Sequence, residues 1–149
     1  MKYRFDDSGQ VAGIEVLPFG FLMLVIGALL LANAWAVVDT KMAVTAAARE
    51  AARAYAEAPD AETAAAAAST RLNATMTGQG HDEAALISDI QLPFGWARCA
   101  PVEITVQTDI RAIGLPFIGG FGRSFTVGAQ HREIIDPYRS GFVGEARCG

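Results

Sequence analysis

The chain of 149 residues has a mass of 15.7 kDa, which is enough for one compact domain, or for a small domain plus an appendage. Hydrophobic residues make up 52% of the chain and charged residues only 19%, a balance that excludes a long disordered tail. The net charge of −4 argues against a nucleic-acid-binding protein, and two widely separated cysteines cannot form the paired C-x-x-C elements of a zinc site.

An uncharged apolar run begins at Val16 and ends at Val38. Its 23 residues would form a helix about 35 Å long, which matches the roughly 30 Å hydrocarbon core of a bilayer. A buried core helix is a weak alternative, because the rest of the chain is too small to surround a helix that is apolar on all sides. A cleaved secretory signal is a minor alternative, because its apolar region is typically about 7–15 residues long. We therefore predict one membrane span.

The orientation of this span is not decided by the flanking charges, because basic residues lie on both sides of it. The two cysteines lie in the C-terminal part and suit an oxidising compartment. We therefore predict a short cytoplasmic tail and a body outside the cytoplasmic membrane. A disulfide between Cys99 and Cys148 would fit that location, and two reduced, unrelated thiols are the alternative, since sequence alone cannot fix the pairing.

Two helices are predicted after the span. The first covers about 39–58, which is alanine-rich and contains neither glycine nor proline. Its charged residues fall on one arc, whereas Ala51 and Tyr55 fall on the opposite arc, as in an amphipathic helix. We expect one length of its small-residue face to pack on the protein's own domain and another to contact neighbours. The proline that follows ends this helix, and Asp60 caps a second helix at about 61–75.

The last third of the chain changes to the two-residue period of strands. Val102 and Ile104 begin an alternation of apolar and polar residues over 102–111, a second alternation covers 124–133, and 86–92 is a weaker third candidate. These strands predict a small antiparallel sheet with one face on the helix and the other in water. The predicted fold class is α+β, with a long transmembrane helix continuing into a small head.

No catalytic constellation is found in the sequence. His81 stands beside Asp82 and Glu83, and we predict a solvated loop there rather than a metal site, because no second ligand set follows at a usable spacing. His131 is predicted to be a partly exposed sheet residue. The glycines between positions 114 and 122 match no phosphate-binding loop, and no serine stands in a G-x-S-x-G elbow. We expect neither an enzyme nor a cofactor, metal, nucleic acid or small-molecule substrate.

The segment between the two best strands is too rich in glycine and proline to continue a central strand. Either it folds onto the sheet as a long hairpin connection, or it is an exposed contact for a partner or for lipid headgroups. The candidate contact residues are Leu115, Phe117, Ile118 and Phe121. They define an alternative function for the chain, a monomeric membrane-anchored binding module.

A carboxylate, Glu15, stands immediately before the uncharged run. A charge at the edge of hydrocarbon is costly and usually functional, unless it stays hydrated at headgroup level. Gly9, five mostly apolar residues, Glu15 and a long apolar helix resemble the N-terminus of type IV pilin-like proteins. The continuation TAAAREAAR over 45–53 is similar to the helix of the TadE-like family, the minor pilins or pseudopilins of Tad (tight adherence, Flp-type) pilus systems. The resemblance is most specific over 9–53.

The resemblance implies a processing step. A prepilin peptidase would cut after Gly9 and free the amine of Gln10. Residues 1–9 would then be a leader, residues 10–38 a transmembrane helix, and residues 39–149 an extracytoplasmic pilin-like head. An uncut subunit that stays in the membrane as an anchor is the alternative.

The resemblance also implies how subunits would recognise one another. Glu15 would face the N-terminal amine of a neighbour and set the register, because an unpaired carboxylate in lipid is costly. Packing at the small residues Gly20, Gly27 and Ala28 would hold the helices together. The implied partners are other pilin-like subunits, a Tad-type assembly platform, the prepilin peptidase and the bilayer. The protein would stay in the cytoplasmic membrane or enter a surface pilus, in an adhesion or secretion role.

Overall fold

The computed structural model describes residues 16–81, 85–111, 124–138, 140, 142 and 148. In chain order the elements are α1 (Val16–Glu57), α2 (Ala61–Gly78), β1 (Leu86–Gln91), β2 (Pro101–Arg111) and β3 (Ser124–Ile134). The three strands form one antiparallel sheet in the order β1-β2-β3. The protein is therefore α+β, with a long apolar N-terminal helix and a small sheet. By its contacts the chain divides into two compact units, Met1–Ala36 and Val37–Gly149.

The 42-residue helix α1 joins the predicted span and the predicted helix at 39–58 into one element. Leucine and alanine dominate its sequence, and both have high helix propensity. α1 ends at Glu57, two residues before Pro59, because a residue that precedes proline is disfavoured in helical conformation. Beyond Val38 one face of α1 is buried, and Ala51 and Tyr55 lie on it as the charge pattern predicted.

The second helix, α2, begins where the sequence predicted and ends three residues later than 75, at Gly78. Asp60 is its N-cap and accepts a hydrogen bond from the backbone N–H of Thr63 at 2.9 Å. Its buried residues recur every four positions, so a single narrow stripe faces the core. They are Ala64, Ala68, Leu72 and Met76.

The central strand β2 supplies the apolar face of the sheet. Val102, Ile104 and Val106 are fully buried in one core with the alanine face of α1 and the stripe of α2. The alternation predicted for 102–111 is therefore confirmed. Thr108 also lies on this face and is 4% exposed, although its polar side chain gives no hydrophobic signal in the sequence.

The pairing of β2 with β3 places residues that lie opposite each other on the same face of the sheet. Val106 lies opposite Ala129, Ile104 opposite His131, and Val102 opposite Glu133. The helix-facing side of β3 therefore changes from apolar to charged along the strand. His131 is partly exposed, as predicted, and sits where this change occurs.

The end of the sheet at Pro101 and Ile134 is joined to the C-terminal segment. The Trp96 ring packs against Tyr55 of α1 and against Phe142, with centroid distances of 5.5 and 6.0 Å. The Arg98 guanidinium donates hydrogen bonds to the carbonyls of Pro137 and Phe142 at 3.1 and 3.0 Å. Next to it a disulfide joins Cys99 to Cys148, one of the two states that the sequence left open.

Candidate functional site

The first half of α1 exposes large apolar side chains. Phe19, Leu24 and Trp35 are 60%, 69% and 71% exposed, and no residue of the most apolar 18-residue window of the helix is buried. A core helix of a globular protein buries most of such a window, so α1 is not a core helix over this length. Within the described residues it is the one helix long and apolar enough to span a membrane, and it lies near the N-terminus.

The side-chain amide of this segment has a hydrogen-bond partner inside the helix. The side-chain amide of Asn33 donates to the Leu29 carbonyl at 2.9 Å, one turn earlier. Asp39 is the first charged residue after Val16, and it follows the uncharged run directly. A helix that pairs its own backbone groups and carries no charge over this length meets the main requirement of a lipid environment.

The small residues predicted for helix packing, Gly20, Gly27 and Ala28, are exposed. A methyl group built at either glycine would meet nothing within 4 Å. These positions are therefore open to the surroundings, and their contact with neighbouring helices stays a prediction.

The surface of α1 changes character just after the uncharged run. Val38 and Met42 are still more than half exposed, whereas Ala43 and Val44 are buried in the core that includes residues of the sheet and of α2. α1 thus has an exposed apolar segment, residues 16–38, followed by a buried alanine face. This confirms that one length of the helix packs on the protein's own domain.

The sequence predicts that His81 lies in a solvated loop, but the structure places its side chain in a mostly buried position. Its side chain is only 16% exposed, and Nε2 lies 3.2 Å from the Asp39 carboxylate, which links the end of α2 to the start of the buried part of α1. Asp82 and Glu83 lie outside the described residues. No group of three potential metal ligands occurs in the part of the chain that the structure describes.

A charged groove of about 640 Å³ separates α1 from the polar end of β3. Arg53 lies in this groove, and its Nε donates a hydrogen bond to the Glu57 carboxylate at 2.8 Å. This hydrogen bond is the main cause of the raised pKa of the Arg53 guanidinium, and the negative charges of Glu57 and of other nearby glutamates raise that pKa further. On the strand side, His131 Nε2 lies 3.7 Å from the Glu133 carboxylate. The described lining contains no serine, threonine or cysteine, so it offers ion pairing and no side-chain nucleophile of these types.

Several predicted site residues lie outside the described residues. They are Gly9, Gln10 and Glu15 before α1, and Leu115, Phe117, Ile118 and Phe121 between β2 and β3. Their processing, register and contact roles stay predictions.

Comparison with protein-family models, with curated proteins and with solved structures finds no match for this chain.

Proposed function

We propose that the protein is a non-enzymatic, TadE-like minor pilin or pilus/secretion assembly component, anchored in the cytoplasmic membrane by one transmembrane helix. One observation carries the proposal. α1 exposes an uncharged apolar segment over 16–38 and then, without a break, holds a small sheet on its alanine face. The first of these surfaces is stable only in lipid or among other apolar helices.

Packing with other pilin-like subunits would occur along the exposed segment. Lipid and apolar side chains are about equally hydrophobic, so helices associate in a membrane through close packing at small residues and through polar contacts. Gly20, Gly27 and Ala28 are open for the first kind of contact. Glu15 would supply the second by pairing with an amine of a neighbouring subunit.

The decisive variant is Glu15→Gln, which removes the charge and keeps the size of the side chain. We expect loss of cross-linking to other pilin-like subunits in native membranes, while the protein still resists extraction by alkaline carbonate and keeps its disulfide. Glu57→Gln is the matched control, because it makes the same change at an exposed carboxylate near the other end of the described helix α1. Normal assembly of the Glu15→Gln variant would contradict the register role.

The native membranes also distinguish peptidase processing from a permanent anchor and from a monomeric binding module. A mature chain that starts at Gln10 supports peptidase processing, and one that starts at Met1 supports a permanent anchor. Native protein that washes off membranes as a dissolved monomer would exclude the proposal. Normal function of Glu15→Gln, together with loss of function when Phe117 and Phe121 are both changed to Ser, would instead assign the monomeric binding module.

A further inference from the structure

The strand β3 lies at the edge of the sheet, so among the described residues only one of its two sides has a neighbouring strand. The residue after the strand shows which backbone groups face that neighbour. Ile135 donates its N–H to the Ala100 carbonyl and accepts a hydrogen bond from the Cys99 N–H, both at 3.0 Å. Backbone groups of alternate residues in a strand point to the same side. Those of residues 131 and 133 therefore face β2, and those of residues 130, 132 and 134 face outward.

A lysine of α1 gives the same assignment and closes part of this outward row. The Lys41 ammonium donates to the carbonyl of Gly128, which is in step with residues 130, 132 and 134. No other described residue bonds the outward backbone groups of β3. Unpaired N–H and C=O groups along an edge strand are a template for another chain. We call residues 130–134, which lie between Lys41 and the end of β3, the open edge.

The charged groove runs alongside the open edge. His131 and Glu133 line the groove from the helix-facing side of the sheet, and Ile134, the next residue in the alternation, lines it from the opposite face. A groove lined by both faces of one strand borders the edge of that strand. Its other wall, residues 49–57 of α1, is about 12 Å long, and residues 131–134 extend about 10 Å. The groove therefore has room for an extended segment beside about four residues of β3.

The charges around the open edge favour a particular sequence in such a segment. Four carboxylates and two guanidiniums line the groove, so these groups leave an excess of negative charge on the helix-facing side, next to Glu133. On the other face, Arg132 is exposed and forms no ion pair with a described residue. Ile134 is 53% exposed and offers an apolar contact. The charged residues of the groove are Arg49, Glu50, Arg53, Glu57, Glu133 and Asp136.

We propose that the open edge is a docking site for an extended segment of a partner protein, which adds to the sheet as an antiparallel strand. Backbone hydrogen bonds to Gln130, Arg132 and Ile134 hold the segment, and side chains select it. An apolar residue lies opposite Ile134, then a basic residue opposite Glu133 and an acidic residue opposite Arg132.

A second copy of the chain is a poorer occupant of this site. Symmetric antiparallel pairing of two open edges about their middle residue places Arg132 of one copy opposite Arg132 of the other, and like charges at opposite positions destabilise a strand pair. The open edge lies wholly within the head, so this proposal does not depend on the anchoring of α1 in a membrane.

A peptide titration followed by NMR tests the site in the isotope-labelled, full-length protein in detergent micelles. The probe is acetyl-VKETT-amide, whose residues would lie in order opposite residues 134 to 130. The control, acetyl-VEKTT-amide, has the same composition and places like charges opposite Glu133 and Arg132. Because two attractive pairs become repulsive, we expect the probe to bind about tenfold more tightly than the control.

The amide signals locate the contact. The N–H groups of residues 130, 132 and 134 are free, so their signals should shift most and their exchange with solvent should slow, whereas residues 131 and 133 already bond β2. Absence of these changes at millimolar peptide would overturn the proposal. Shifts confined to α1 would overturn it too, because they would assign a charge contact without strand addition. Changes at the open edge that depend on protein concentration, without peptide, would assign it to a second copy.

Methylation of the peptide backbone distinguishes strand addition from binding by charge alone. In antiparallel pairing the glutamate of the probe exchanges two hydrogen bonds with Arg132, while the N–H of its lysine points away from β3. N-methylation of that glutamate should weaken binding about tenfold, and N-methylation of the lysine less than about twofold. Equal effects of the two methylations would contradict strand addition, and this test needs no change in the protein.

A substitution in β3 makes the matching test from the protein side. Arg132→Pro removes an outward N–H and leaves the hydrogen bonds to β2 in place, whereas Arg132→Ala removes the charge alone. We expect Arg132→Ala to weaken binding of the probe about threefold and Arg132→Pro at least about tenfold. Equal binding by a folded Arg132→Pro variant and by Arg132→Ala would overturn the proposal.

Discussion

Removal of the Cys99–Cys148 disulfide would measure how strongly the C-terminal segment stabilises the head. The two cysteines are separated by 49 residues in sequence. In the chain-entropy model a cross-link over that distance stabilises the folded state by about 4 kcal/mol, because it lowers the entropy of the unfolded chain. The neighbouring contacts do not need the bond, since Arg98 holds the carbonyls of Pro137 and Phe142 independently. We expect Cys99→Ala/Cys148→Ala to fold and to lose about 4 kcal/mol of unfolding free energy.

Urea unfolding in detergent micelles measures this loss. Trp96 is a suitable reporter because it contacts both Tyr55 and Phe142, and Trp35→Phe makes it the only tryptophan of the chain. The midpoint should fall and the slope should rise, because an unfolded chain without the cross-link is less compact and exposes more surface, and reduction of the unsubstituted cysteines should give the same changes. A loss below about 1 kcal/mol would refute the reasoning, because the unfolded chain would then gain little freedom when the loop opens.

Two further substitutions test the core in the same assay. Ala51 is fully buried, so Ala51→Leu should overpack the alanine face of α1 and lower the unfolding free energy by about 1–3 kcal/mol. The control Ala66→Leu, on the exposed side of α2, should change the unfolding free energy by less than about 0.5 kcal/mol. Equal effects of the two substitutions would contradict close packing of the alanine face. The buried Thr108 hydroxyl has no hydrogen-bond partner among the described residues, so Thr108→Val should stabilise the head by about 1 kcal/mol. Thr105→Val, on the other face of β2, is its control, and a destabilised Thr108→Val variant would show that the hydroxyl is satisfied.

Much of the fold could be predicted from the sequence because two physical periods are strong in it. Uninterrupted apolar residues and then alanines specify α1, and alternation specifies β2 and β3. The cap at Asp60 follows from local chemistry alone, since its carboxylate reaches the N–H of a residue three positions later. These signals are local, and a single sequence displays them directly.

The features that the sequence did not reveal depend on contacts between distant residues. His81 stands next to two acidic residues in the sequence, and only folding brings it to Asp39 on another helix. The charged groove likewise needs the register of β2 with β3, which turns His131 and Glu133 toward α1. Thr108 was missed for another reason: its inward position follows from strand geometry, while its hydroxyl gives no apolar signal.

The composition of the exposed apolar segment of α1 predicts only part of the candidate site. The exposure of the segment that begins at Val16 confirms that it is not a core helix. A single sequence does not identify what binds its small residues. That depends on surfaces of other molecules, and Gly20 and Gly27 show only that the space beside them is open.

The narrow stripe by which α2 faces the core affects how the head fluctuates. One side chain per turn, from Ala64 to Met76, holds this helix, and two of the four are only methyl groups. Elements with little buried apolar area open at the lowest free energy and exchange their amide hydrogens first. α2 is therefore the helix most easily released. Its departure would uncover part of the shared core, so among the helices of the head partial proteolysis and deuterium uptake should begin in α2.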